Sequence, residues 1–113
     1  MNCLFCRIAE KKIPSQPVYE DEHVYAFHDV NPQAPVHILL VPKKHISTML
    51  EAKPEDNELI GHLFQTANKI ARQLDVAEKG FRLVINCNSE AGQTVYHLHL
   101  HLLAGRPMHW PPG

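Results

Sequence analysis

His97-Leu98-His99-Leu100-His101-Leu102-Leu103 is the stretch from which the rest of this chain is read. In an extended strand, successive side chains point to opposite faces. The alternation therefore predicts three imidazoles on one face, about 7 Å apart along the chain, and leucines on the other face in a core. A row of neutral rings admits three readings. It could be a solvated strand face rich in histidine. It could ligate a metal, since His-x-His on a strand offers two imidazoles to zinc. It could do phosphoryl chemistry, with one ring attacking phosphorus and a neighbour binding the phosphate oxygens. The loop just upstream favours the last. Gly92 permits close backbone approach, Gln93 and Thr94 offer an amide and a hydroxyl, and backbone N–H groups in such a turn form an anion-binding nest.

Outward from the row, the elements follow from pattern. Residues 3–10 suit a short helix with Leu4, Phe5 and Ile8 on one side, ended by Ile13-Pro14 because the position before proline disfavours helix. Val18-Tyr19-Glu20 and His23 to His28 read as a hairpin around Asp21-Glu22. A loop over residues 29–35 holds two prolines that stop a ladder. Val36 to Val41 is apolar on both faces and belongs in the middle of a sheet. Pro54 to about Val76 forms the long helix, with Leu59, Ile60, Leu63, Phe64, Ala67, Ile70, Ala71 and Leu74 as its apolar stripe. Phe81 to Asn86 is a strand, and Val95 to Leu103 the histidine strand. This predicts an α+β domain with a mostly antiparallel five-stranded sheet, one long helix and one short helix.

Bulk composition sets limits. The chain of 113 residues, 44% hydrophobic, reads as one small domain over 1–113, its last ten residues (about 104–113) forming a tail. A net charge of -1 gives no sign of a nucleic-acid partner. No apolar run reaches the roughly 18 residues of a membrane span, and Met1-Asn2-Cys3-Leu4-Phe5-Cys6-Arg7 lacks the form of a signal peptide. The expected location is the cytoplasm. Three cysteines argue against a disulfide framework, and Cys3-x-x-Cys6 in a reducing compartment reads as metal-binding or redox. Cys87 has no evident partner in the sequence.

The chain also resembles a known family. His97 to Leu103 looks like the His-φ-His-φ-His-φ-φ signature of the histidine-triad (HIT) proteins. The resemblance extends through Phe27 to Pro35, Pro42-Lys43-Lys44-His45-Ile46, Ala91 to Tyr96, and Gly105 to Gly113. The Asp29 loop and the tail are similar to the nucleotide-binding branch, whose members are purine nucleoside phosphoramidases. The resemblance implies a P–N hydrolase acting through a nucleotidyl-histidine intermediate and releasing AMP or GMP. It implies His99 as nucleophile, His101 as phosphate partner and aid to the leaving amine, and His37 and His97 as orienting rings. Thr94 and Asn86 would hold phosphate or ribose oxygens, with backbone donors from Gly92, Gln93, Thr94 and Val95. Asp29 would take the ribose hydroxyls, as a carboxylate can accept from a cis-diol. Phe5, Ile8, Ile13, Phe27 and Val30 would form the purine slot.

A metal-binding branch of the same family implies that His45 and His97 complete a tetrahedral zinc site with Cys3 and Cys6, structural and outside the chemistry. Free thiols are the alternative for the cysteines. Trp110, in the tail, would reach the site of a second subunit in a homodimer whose sheets join edge to edge. The rival functions are a dinucleoside polyphosphate hydrolase, a nucleotide-binding regulatory module with incidental catalysis, and a zinc hydrolase using the row as ligands.

Overall fold

The structure is a computed structural model that describes residues 3–113; Met1 and Asn2, part of the N-terminal reading, lie outside the described residues. Helix α1 (Leu4–Ala9) is followed by strands β1 (Pro17–Glu20), β2 (Val24–His28) and β3 (Val36–Pro42). Helix α2 (Asn57–Gln73) follows, then β4 (Phe81–Val84) and β5 (Leu100–Ala104). The five strands form one sheet in the order β1-β2-β3-β5-β4, and every pairing is antiparallel. β3 is central and buried along nearly its whole length, as its two-sided apolar pattern demands.

Alternation along the strands splits the core in two. Val24, Ala26, Ile38, Leu40, Leu98, Leu100 and Leu102 pack under α2 against Leu63, Ala67 and Ile70. Tyr25, Phe27, Leu39 and Val41 face the other way and pack against Phe5, Ile8 and Ala9 of α1. The histidine row emerges on this second face. The leucines between the histidines anchor it: Leu98, Leu100 and Leu102 are fully or almost fully buried. Truncating one of them to alanine costs about 2–5 kcal/mol.

Several boundaries differ from the sequence reading, most by one residue and three elements by more. The strand expected over Val95–Leu103 is paired only from Leu100 to Ala104. Leu40 pairs with Leu100, so Pro42 stands across from Leu98, and proline has no N–H to offer a ladder. The Leu98 N–H goes instead to the Ile46 carbonyl at 2.6 Å. The strand from Phe81 ends at Val84, leaving Asn86 beyond it. The long helix begins at Asn57 after a 3-10 turn over Pro54–Asp56 and stops at Gln73, short of Val76. Leu4, Phe64 and Leu74 stand exposed, because each lies at the margin of a stripe wider than the surface its helix covers.

Candidate active site and metal centre

The row is built by backbone groups that fix which nitrogen of each ring carries the hydrogen. His97 is fully buried. Its Nε2 donates to the Pro42 carbonyl at 2.7 Å, so its Nδ1 is bare. The His99 Nδ1 donates to the His97 carbonyl at 2.7 Å, which leaves the His99 Nε2 lone pair free of hydrogen. At His37, Nδ1 accepts the Gln33 N–H at 3.0 Å. Its Nε2–H therefore donates to the His101 Nδ1 at 2.9 Å, with Asp29 Oδ2 at 3.4 Å from the same nitrogen. His101 must then carry its hydrogen on Nε2. The nucleophile candidate and its neighbour thus hold opposite tautomers: His99 offers a lone pair at Nε2 and His101 a donor.

Burial keeps these rings neutral. Desolvation holds His37, His97 and His99 below the usual imidazole range, and pushes His101 down to about 4, with His99 and His37 beside it adding to the effect. Asp29 opposes this at His37, His99 and His101 without reversing it.

The four residues of the expected metal site converge. Cys3 Sγ and Cys6 Sγ each lie 3.4 Å from His97 Nδ1, Cys6 Sγ lies 3.4 Å from His45 Nδ1, and the two Nδ1 atoms are 3.1 Å apart. All four ligand atoms lie within 4.8 Å of one another. A tetrahedral zinc ion needs edges of about 3.3 Å between nitrogens and about 3.6 Å between nitrogen and sulfur. The donor set fits, and the His97 tautomer fits too, since its inner nitrogen, Nε2, is tied to a carbonyl and leaves Nδ1 bare for the ion. Burial pushes the Cys6 thiol up to about 11, with the Cys3 sulfur adding to it, so in this pair a cation rather than solvent would stabilise thiolate. Asp29, His37 and His101 also cluster within 4.8 Å, but they do not fit a cation. The Gln33 N–H occupies His37 Nδ1, forcing the hydrogen onto the nitrogen that would have to ligate.

Helix α1 connects the two centres. Its start is capped by Cys3, whose sulfur accepts from the Cys6 N–H at 3.5 Å. Phe5, between the cysteines in sequence, sets its ring edge-on to His99 at 5.0 Å and to Phe27 at 5.7 Å. Phe5, Ile8 and Phe27 share one apolar cluster with Ile13 and Val95 at its border. Val30, expected with them, is 98% exposed and outside that cluster. Trp110 is likewise exposed, at 83%.

The loop before the row serves in a way the sequence reading did not foresee. The Gln93 amide is wholly engaged: its Oε1 accepts from the Asn88 N–H at 2.8 Å, and its Nε2 donates to the Ser47 and Val95 carbonyls at 2.9 and 3.1 Å. The Gln93 side chain therefore pins the loop and is not a free phosphate donor. Gly92 takes φ +94°, which suits glycine. Thr94 is exposed at the loop's end, and Asn86 is half-buried just past β4. The other partners that sequence reasoning missed, the Gln33 amide and the Pro42 carbonyl, are main-chain groups with no residue-type signature. A cleft of about 590 Å³ lined by Glu22, Lys43, Lys44, Asp56 and His62 contains none of the row. There Lys43 and Lys44 are paired with Glu20 and Asp56.

Known proteins place this geometry. A family model described as the HIT domain matches residues 10–108. An uncharacterized HIT-like protein of Synechocystis is 54% identical over 110 residues, covering 97% of this chain and 96% of the relative. Among solved structures, a HIT family hydrolase from Legionella pneumophila superposes with a TM-score of 0.98 at 52% identity, covering 99% of this chain and all of that one. A histidine triad protein from Clostridium difficile does so at 0.93 and 46%, covering 96% of this chain and 94% of its own. Cys3, Phe5, Cys6 and Ile8 lie before the matched span, whereas every histidine of the row lies inside it. The chain belongs to the HIT family.

Proposed function

We propose that this protein is a hydrolase of purine nucleoside phosphoramidates. The observation that carries the reading is the pair of opposite tautomers two residues apart, a bare Nε2 on His99 beside a donor Nε2–H on His101. The hydrolase class of the Legionella neighbour supports it.

In the first step, the His99 Nε2 lone pair bonds to the α-phosphorus. The P–N bond breaks with its electron pair on the leaving amine. That amine takes a proton delivered through the His101 Nε2–H, which solvent replaces. In the second step, water bonds to phosphorus and gives up a proton to solvent. The P–Nε2 bond breaks back onto His99, releasing the nucleoside monophosphate. The His101 donor also meets the negative charge growing on the phosphate oxygens. Asp29 faces the ribose. One of its oxygens already accepts the Asn31 N–H at 2.8 Å, and its remaining lone pairs suit a cis-diol. The Phe5, Ile8, Ile13 and Phe27 cluster takes the purine face, and Thr94, Asn86 and the Gly92–Val95 backbone take oxygens.

Cys3, Cys6, His45 and His97 would hold zinc as a cross-link between α1 and the start of the row. A homodimer is part of the same proposal, since β4 pairs only with β5 and leaves one sheet edge open. No helix among the described residues is long and apolar enough to cross a membrane, and a thiol pair held for zinc suits the cytoplasm.

Side-by-side turnover tests the reading. Adenosine 5′-phosphoramidate should be hydrolysed far faster than diadenosine polyphosphates. The reverse order would make the protein a dinucleoside polyphosphate hydrolase. AMP binding with slow turnover of both would make it a binding module.

A further inference from the structure

We propose that Arg106, outside the histidine row and beyond the last strand, is a positioning residue that selects the tautomer of His101. β5 ends at Ala104. Gly105 takes φ +94°, and a Cβ there would lie 2.8 Å from the Pro35 side chain, so the strand end runs hard against the loop over residues 29–35. The next residue grips that loop. The Arg106 Nε and Nη2 both donate to the Gln33 carbonyl, at 3.2 and 3.0 Å, while Nη1 donates to the Pro107 carbonyl at 3.1 Å. A two-pronged grip of this kind fixes direction as well as distance.

The gripped residue is the one whose main-chain N–H meets His37 Nδ1 at 3.0 Å. Pro32 and Pro35 flank Gln33 and bring no N–H of their own. Bonds within the segment, from the Gln33 Nε2 to the Asn31 carbonyl at 3.0 Å and from the Asp29 N–H to the His37 carbonyl at 2.9 Å, hold the loop near His37, and the Arg106 grip on the Gln33 carbonyl adds a contact from outside it. Two tautomer pairs are available to His37 and His101, and they exclude each other. With the Gln33 amide on Nδ1, His37 donates from Nε2 and His101 presents Nε2–H. With the amide withdrawn, His37 can carry its hydrogen on Nδ1. It then accepts from a His101 Nδ1–H, leaving the His101 Nε2 without a hydrogen for the phosphate or the leaving amine. The other groups facing this pair are Asp29, whose Oδ2 lies 3.4 Å from His37 Nε2 and favours the first arrangement more weakly, and His99, whose ring centre is 5.0 Å from that of His101. Arg106 thus acts on the site through Gln33 and His37 without touching substrate.

The catalytic consequence rests on the phosphoramidase reading; the tautomer does not. The test is nitrogen NMR of the histidine side chains in the full chain, with kinetics on adenosine 5′-phosphoramidate alongside. Wild type should show His37 and His101 both protonated at Nε2. Arg106→Ala should populate the alternative pair and lower kcat by about 10-fold with a smaller change in KM. Arg106→Lys, which keeps one donor for the Gln33 carbonyl but loses the fork, should restore part of both. Should Arg106→Ala fail to fold, Arg106→Met keeps the aliphatic stem, loses every donor and carries the same expectation. Wild-type tautomers in the alanine or methionine variant overturn the proposal. So does a lysine variant as impaired as alanine. If wild type proves inert toward phosphoramidates, the proposed function falls while the NMR arm still decides the role of Arg106.

Discussion

At one end of the row, His97 donates from Nε2 to the Pro42 carbonyl and turns a bare Nδ1 onto two cysteines. At the other end, His101 accepts at Nδ1 from His37 and turns an Nε2–H outward. The residue type is the same and both rings lie on the same side of the core leucines. What differs is the partner on the inner nitrogen: a carbonyl makes the outer nitrogen a ligand, and a chain of donors makes it a donor. His99, between them, takes a carbonyl on Nδ1 and so becomes a base and nucleophile at Nε2. Division of labour along the row is thus set by main-chain groups of β3, its flanking loop and the row itself.

Removing the centre should have the largest effect. His99→Ala should lower phosphoramidate turnover by at least about 10⁴-fold while the thermal transition and AMP affinity stay near wild type, measured by progress curves and calorimetry. At the catalytic end, His37→Ala deprives His101 Nδ1 of its donor. Its kcat should fall by about 100-fold with metal content unchanged. At the metal end the pattern should invert. Cys6→Ser, or exhaustive chelation, should remove zinc and lower the melting temperature by roughly 10 °C. Turnover should fall less than in the His37 variant. If Cys6→Ser silences chemistry as completely as His99→Ala, the two ends are one centre and the contrast fails.

The smallest effect is on pH. The folded-state value of His101, about 4, lies below the ordinary value of 6.5. The unfolded chain therefore binds more protons between these values, and stability falls as pH drops through that window. The unfolding free energy from urea titrations should decline on the order of 1 kcal/mol between pH 7 and 5.5 from this ring, and less in His101→Asn.

Much of this was legible in the residues. Leucine alternation placed Leu98, Leu100 and Leu102 in the core, and the two-sided apolar run placed Val36–Val41 at the sheet centre. The Cys3-x-x-Cys6 pair and His45, some forty residues apart, meet as the resemblance implied. What could not be read were partners carried by the main chain, since the Pro42 carbonyl and the Gln33 amide look like any others in sequence. The Gln93 side chain is hidden for the opposite reason. An amide beside a glycine suggests a ligand, yet burial at 5% exposure commits it to holding the loop. Val30 shows the limit of composition: an apolar side chain in a proline-rich loop need not join a core.

On the proposed mechanism, His99 alone forms the covalent bond to phosphorus. Rapid acid or denaturant quench during turnover of adenosine 5′-phosphoramidate, followed by intact mass and peptide mapping, tests it directly. A transient adenylyl adduct should form on the peptide containing the row, localised to His99 and absent from His99→Ala. Full turnover with no adduct at any time, or an adduct localised to His101, would contradict it.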